Sequence, residues 1–361
     1  MIRIVSAFLL MLVFSACSEK VPPEPQEPPP PDTTSHDWSF TMYEVGGMNT
    51  TLRDVAVLST DYALAVGKVE SFVFPKINAY LWDGYSLKPV SLPMYPHDTI
   101  TIDPQKNPVT SGGWLSLNAI WAFRRDNLWY STDYGAVAHL TTRGQDTCVH
   151  QETWMSRVDF NPPPGNCIWA RDTSELYFGG DEGKLLRFAK GQWSQIPVET
   201  GGESVDQLFG YSDGSLFVRS AHTLLRLVGG ISSIIWNRSM PSLSDSVYFG
   251  APDFYWATEA SDSAWIGSLY VARIRRDGSG KATVMLVSQY RAIHGNHDND
   301  VFIVGYDGLI THYNGASFKH FHDFSGMSIR LLAVKMTGNE VFIVGDRYFG
   351  GGIFIHGKRT H

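Results

Sequence analysis

The chain contains the string VFIVG twice, at residues 301–305 and 341–345, forty residues apart. The flanking sequence runs in parallel, with YRAIHGNHDNDVFIVGYDGLITHYNGASFKHFH over 290–322 and IRLLAVKMTGNEVFIVGDRYFGGGIFIH over 329–356. Self-similarity at this period marks an array of small β-sheets, each burying its apolar faces against its neighbours, rather than a single-core enzyme fold.

The same unit can be followed through the chain as a strand, an Asp/Asn/Gly turn, a second strand ending near a small residue, then a third and usually a fourth strand. The expected ends of the second strands are Val66-Gly67, Tyr130-Ser131, Phe178-Gly179, Val218-Arg219, Trp256-Ala257, Val304-Gly305 and Val344-Gly345, in steps of 64, 48, 40, 38, 48 and 40 residues. Residues 95–113, rich in Pro and Thr, lengthen the first step and read as an inserted loop. Asp61, Asp126, Asp172, Asp213, Asp253 and Asp298, and Gly338-Asn339 in the last unit, fall at the first-to-second-strand turn. Such residues bond local backbone or tolerate positive φ. Asp83-Gly84 and Asn314-Gly315, each between apolar runs, read as hairpin turns, with Lys190-Gly191 a weaker instance.

Seven repeats of a four-stranded antiparallel sheet make an all-β fold, a seven-bladed β-propeller. The last unit ends after a third strand at 351–356, whereas WSFTMYEV at 38–45 precedes the first full unit. The N-terminal run is therefore expected to supply the outermost strand of blade seven and close the ring, leaving no open terminal edge.

The N-terminus speaks to location. Arg3 precedes an apolar run at 4–14 that is too short to span a bilayer and is followed by small residues, as in a secretory signal spanning 1–16. Phe14-Ser15-Ala16-Cys17 resembles the lipobox of bacterial lipoproteins, with Phe14 where that family usually has Leu. The resemblance implies cleavage before Cys17, its modification by diacylglycerol and an N-linked acyl group such as palmitate, and membrane anchoring through several chains. By similarity to proteobacterial sorting rules, Ser18 points to the outer membrane, on its periplasmic or its surface face. Residues 17–37, with seven prolines from Pro22 to Pro31, read as an extended spacer that holds the body (38–361) off the membrane.

Cleavage removes Arg3 and takes the formal charge from −7 to −8. No basic patch is visible, which argues against nucleic acid as a partner. With Cys17 set aside, Cys148 and Cys167 remain as a possible disulfide in an oxidising compartment, the alternative being two unpaired thiols.

The repeat form h-x-A-x-x-x-D/N-x-h-h-h-V-G-x-x-G-x-h-x-x-Y-N-G-x-x-F resembles the repeats of bacterial sialidase-like and photosystem-II-assembly-factor-like propellers over about residues 52–361. Ser131-Thr132-Asp133-Tyr134-Gly135 matches the first half of a sialidase Asp-box, but Val137-Ala138 stands where Thr-Trp would follow. The resemblance implies the fold and transfers no catalytic residue.

Other clusters reduce to scaffold. His294 and His297 near Asp298 and Asp300 offer metal-ligand types, yet Asp298 occupies the repeat's standard turn. His312, His320 and His322 belong to outer strands, and two histidines on one face do not complete a site. Asp181-Glu182-Gly183-Lys184 reads as an acidic turn, and Gly350-Gly351-Gly352 lacks the Lys-Ser/Thr of a phosphate loop. Trp121, Trp129, Trp169, Tyr255, Trp256 and Trp265 fall in strands, for blade packing or for lining the central channel. No catalytic residue, metal site or cofactor is expected. The favoured function is a non-catalytic envelope lipoprotein whose propeller binds or assembles a protein or glycan. The alternative is a carbohydrate-active hydrolase or lyase using loops that include 95–113, which would need a pair of carboxylates set across a substrate.

Overall fold

Each VFIVG forms most of the second strand of a four-stranded sheet in a computed structural model of the protein. The structure describes residues 33–70, 77–92, 100–102, 116–132, 137–143, 146–152, 165–237, 253–259, 261–267, 269–277 and 283–360. The string is apolar throughout because both faces of the strand are covered. Val301 and Ile303 pack in a cluster with Trp256 and Trp265, whereas Phe302 and Val304 pack with Val341 and Ile343. Successive side chains on a strand point to opposite faces, so one strand supplies two inter-sheet cores. The closing glycines answer a close approach. A β-carbon at Gly305 would lie 2.0 Å from the Gln289 carbonyl oxygen, and one at Gly345 would lie 1.8 Å from that of Arg330.

Seven such sheets form the propeller. From the axis outward, blade one comprises Thr51–Ser59, Tyr62–Lys68, Ala79–Trp82 and Leu87–Val90. Blade three comprises Gly165–Asp172, Glu175–Gly180, Leu185–Ala189 and Gln192–Ile196; blade four comprises Val205–Gly210, Leu216–Ser220, Thr223–Val228 and Ile231–Asn237. Blade six comprises Tyr290–His297, Asp300–Gly305, Ile310–Tyr313 and Phe318–Phe321. Each blade's first strand contacts the first strand of the next, and that of blade seven (Ile329–Thr337) returns to Thr51–Ser59.

The closure is as expected from the sequence. Blade seven continues with Glu340–Arg347 and Gly352–Arg359, and Trp38–Val45 pairs antiparallel with the latter from Trp38↔Arg359 to Val45↔Gly352. Within the expected spacer, residues 33–37 run along blade six, where the Thr34 N–H donates to the Asn314 carbonyl at 3.1 Å.

Three sequence expectations change. In blade five, Phe254–Trp256 is the first strand, followed by Ser263–Gly267, Tyr270–Arg275 and Thr283–Val287. Trp256-Ala257 therefore does not end a second strand, and Asp253 precedes the blade rather than turning within it. The first strand is so short that its DFYWA resembled the turn and second strand of other units. In blade two, Ile100–Ile102 from the expected inserted loop pairs outside Asp146–Glu152, beyond Leu117–Arg124, Asn127–Thr132 and Val137–Arg143, making five strands.

The third change concerns turns. Lys190-Gly191 is the two-residue hairpin, with Ala189 paired to Gln192 and positive φ at both turn residues (52° and 73°). Asp83-Gly84 and Asn314-Gly315 instead open four-residue loops. There the Asp83 carboxylate accepts the Ser86 N–H at 2.8 Å, and the Asn314 side-chain oxygen accepts the Ser317 N–H at 2.9 Å.

Candidate functional site: the central funnel

The seven first strands line a funnel whose cavity measures about 600 Å³. Six of them carry a register shift at the same place, between Leu52/Asp54, Leu117/Ala119, Gly165/Cys167, Val205/Gln207, Tyr290/Ala292 and Leu331/Ala333. A bulge places two residues opposite one and re-aims a side chain. The extra residues are Arg53, Asn118, Asn166, Asp206, Arg291 and Leu332, and all six line the cavity. Blade five pairs without a shift. There Asp253, just before the strand, accepts from Arg291 at 2.8 Å.

The ring is held by fixed partners. An Arg53 guanidinium nitrogen donates to Asn118 Oδ1 across blades one and two. Asn166 donates to Asp181 at 2.9 Å, and Ser204 donates to the same carboxylate oxygen at 2.7 Å. Asp206 faces Arg219 at 3.2 Å. The side chain of Gln207 stands in for a strand partner, donating to the Tyr255 carbonyl at 3.1 Å and accepting its N–H at 2.8 Å. At the equivalent position of blade one, Asp54 accepts the Ile120 N–H of blade two at 3.0 Å.

Deeper in the wall the character changes. Trp121, Trp169 and Phe209 occupy one register on three consecutive blades, and His294 and Lys335 hold that register on blades six and seven. Three aromatic rings on blades two to four thus share a level with one imidazole and one amine on blades six and seven. Burial pushes the Asp54 carboxyl up, against the charge of Lys335 and two backbone N–H donors. Burial likewise pulls Lys335 down, against the charge of Asp54. Burial and then Lys335 drive His294 well below its ordinary value, so its ring is neutral and Nδ1 accepts the Met336 N–H at 3.1 Å. The lining holds four cations (Arg53, Arg219, Arg291, Lys335) and three carboxylates (Asp54, Asp206, Asp253). These groups present oriented donors, acceptors and flat apolar faces. That is the chemistry of recognition.

The sequence-expected residues disperse. Of the 294–300 cluster, His294 enters the funnel wall. Asp298 takes the expected turn, bonded to Arg273 at 3.1 Å and Thr258 at 3.2 Å, and Asp300 is buried against His312 at 2.9 Å. Asp181 lies in the expected acidic turn, a single 3-10 turn over Asp181–Gly183, and from there positions Asn166. Trp121, Trp169 and Trp256 line the channel, while Trp129, Tyr255 and Trp265 are buried in packing. Cys167 carries a free thiol, 3.5 Å from the Val205 carbonyl oxygen and pushed up chiefly by burial, away from the reactive thiolate. Cys148 lies on the fourth strand of blade two, and its side chain is outside the described residues, as are residues 1–32 with Cys17.

The sequence signal for the ring was present but unread. LRD, LNA, GNC, VDQ, YRA and LLA open six first strands, five of them with a polar residue in second place.

No protein-family model matches the chain, and no curated protein matches it. The likeness lies in the solved structures. The structure of YCF48 bound to D1 peptide is similar at a TM-score of 0.63 and 15% identity, covering 89% of this chain and 97% of that one. The WD40 beta propeller domain of Doa1 is similar at a TM-score of 0.57 and 12% identity, covering 87% and 96%. These are likenesses of fold. They agree with the propeller resemblance read from the repeats.

Proposed function

We propose that this protein is a non-catalytic lipoprotein of the bacterial cell envelope, whose propeller binds a partner protein at the funnel mouth. One observation carries the reading. Six bulges at a single register turn five polar side chains and Leu332 toward the axis of a rigid ring, a repeated arrangement that blade packing alone does not require. YCF48, a propeller of similar shape, has been captured with a peptide, which supports a polypeptide as the occupant. The lipobox resemblance at Cys17 and the Pro-rich spacer support tethering at the outer membrane, with the body free to meet a neighbour.

Three measurements test this. A photo-crosslinking amino acid at position 118 of the full chain should yield a defined protein adduct in cells, lost when Arg53 is changed to Glu. A glycan panel showing turnover that Asp206→Asn abolishes would instead carry the hydrolase or lyase reading. Cys17→Ala should release the protein from the membrane fraction; retention there would refute the anchor.

A further inference from the structure

On the face where the first strands begin, three loops of the blade-seven side lie against one another. They span 46–50, 322–328 and 348–351. The Asn49 N–H donates to the Gly350 carbonyl at 2.9 Å, the Tyr348 N–H to that of Ser328 at 2.9 Å, and Arg347 to that of Met327 at 3.0 Å. Each loop puts large apolar side chains into solvent: Met48 is 67% exposed, Phe349 88%, Tyr348 46% and Met327 38%. Single exposed apolar residues are ordinary, but four on abutting loops mark an interaction surface.

A second observation points the same way. Phe349 is held at φ +58°, a left-handed conformation that bulky side chains avoid, while the Gly350 N–H donates to the Arg347 carbonyl at 2.9 Å and closes the turn. Glycine would remove this strain, yet the chain keeps an aromatic ring there, pointed into water. Retained backbone strain of this kind gathers at ligand-contacting positions.

The cations around the patch are matched, and Asp323 of the 322–328 loop adds a further acid. Arg347 pairs with Glu44 at 3.2 Å, Arg330 with Asp346 at 2.5 Å and Lys68 with Glu70 at 3.1 Å. No cationic surplus is left in these pairs to draw anionic lipid headgroups, which favours an apolar side chain of a polypeptide. Continuity favours it too. Leu332 is the one apolar residue of the bulge ring, and it belongs to the blade that carries Tyr348 and Phe349.

We infer that a partner's extended segment leaves the funnel mouth over blade seven, with a large apolar side chain seated among Met48, Met327, Tyr348 and Phe349. The inference rests on the funnel being a peptide-binding site and adds the direction of the bound chain and the residue class it must carry.

The detergent-solubilised full chain, panned against a random twelve-residue peptide library, should enrich peptides with a large aromatic or aliphatic residue beside polar ones. Phe349→Ser should weaken the best of them about tenfold, and Ile231→Ser on blade four by less than about twofold. Phe349→Gly should weaken binding as much while leaving the melting temperature unchanged or higher, since it relieves the strain. Binding indifferent to Phe349→Ser but lost in Arg53→Gln would overturn the track and leave the funnel reading standing. Indifference to both, or no enrichment, would overturn both. Concentration-dependent dimerisation abolished by Phe349→Ser would assign the patch to a second copy. Quenching of a fluorophore at position 349 by brominated lipid in phosphatidylglycerol vesicles would assign it to the membrane. Either result overturns the inference.

Discussion

His36 and His312 face each other Nδ1 to Nδ1 at 2.9 Å, although 276 residues separate them. His312 Nε2 lies 2.9 Å from the buried Asp300 carboxylate and can only donate to it. A neutral His312 therefore accepts at Nδ1, His36 donates there, and His36 Nε2 accepts from the Ser317 hydroxyl at 3.0 Å. One tautomer of each ring satisfies the whole line. It fastens the approach to the closing strand onto blade six, with Thr34 also donating to Asp300 at 3.1 Å.

That line predicts a pH-dependent closure. Burial, then the neighbouring positive charges, hold His36 below its ordinary value; burial does the same to His312 despite the opposing pull of Asp300. Above about pH 6.5 the rings are neutral folded and unfolded, and stability is unaffected. As pH falls through 6.5 the unfolded chain takes up protons that the fold refuses, so stability declines until the lower folded-state values are reached. Burial tends to raise Asp300, but its bonds from His312 and Asn296 and the charge of Arg359 outweigh it, so its own loss comes only in stronger acid. Melting curves from pH 8 to 5 should show the decline, with a shallower slope in His36→Asn. A flat profile, or an unchanged slope in the variant, would refute the latch.

Removing the closing strand tests the ring itself. Trp38–Val45 supplies the outer strand of blade seven through eight paired positions, and Trp38 and Phe40 pack edge-to-face on Phe302 of blade six. Deleting 38–45 exposes the Gly352–Arg359 edge and this aromatic contact together. The melting temperature should fall sharply, and the truncated chain should aggregate through the bare edge. An unchanged melting temperature would contradict the closure.

The last residue of each VFIVG makes a separate prediction. A methyl group at Gly345 meets backbone, the Arg330 carbonyl, so no side chain can swing away. Gly345→Ala and Gly305→Ala should each cost about 1–3 kcal/mol by denaturant unfolding. Gly338→Ala, at a turn with open space around it, would meet only the strain of its φ of +54°. Equal losses at all three positions would mean that close approach is not what selects glycine in the repeat.

What was legible in the sequence follows from these contacts. VFIVG is buried on both faces and must end in glycine, so composition and spacing both survive duplication and can be read. The closing strand was legible because the last unit lacks a fourth strand. The funnel was not. A bulge inserts one residue and breaks the alternation by which a strand's faces are recognised, so Arg53 and Asn118 looked like ordinary strand residues. Blade five failed for a related reason, its first strand being Phe254–Trp256 alone. The His36–His312 contact joins the N-terminal approach to blade six, and no local pattern records such a meeting.

Gln207 offers the sharpest test of how the ring is held where the bulge pattern lapses. Blade five has no shift in its first pair, and there the Gln207 amide of blade four bonds both the N–H and the carbonyl of Tyr255. Losing both bonds should cost about 1–3 kcal/mol, because two backbone groups are left unmatched in the funnel wall. Gln207→Ala should show that loss in denaturant unfolding. Gln207→Glu, which can accept but not donate at neutral pH, should keep the Tyr255 N–H bond and set its charge against the carbonyl oxygen. Its loss should shrink on acidification, when a protonated carboxyl can again donate. If Gln207→Ala unfolds like the wild type, the bridge is incidental and blade five is held by the packing of Tyr255 on Phe217 at 4.4 Å between ring centroids.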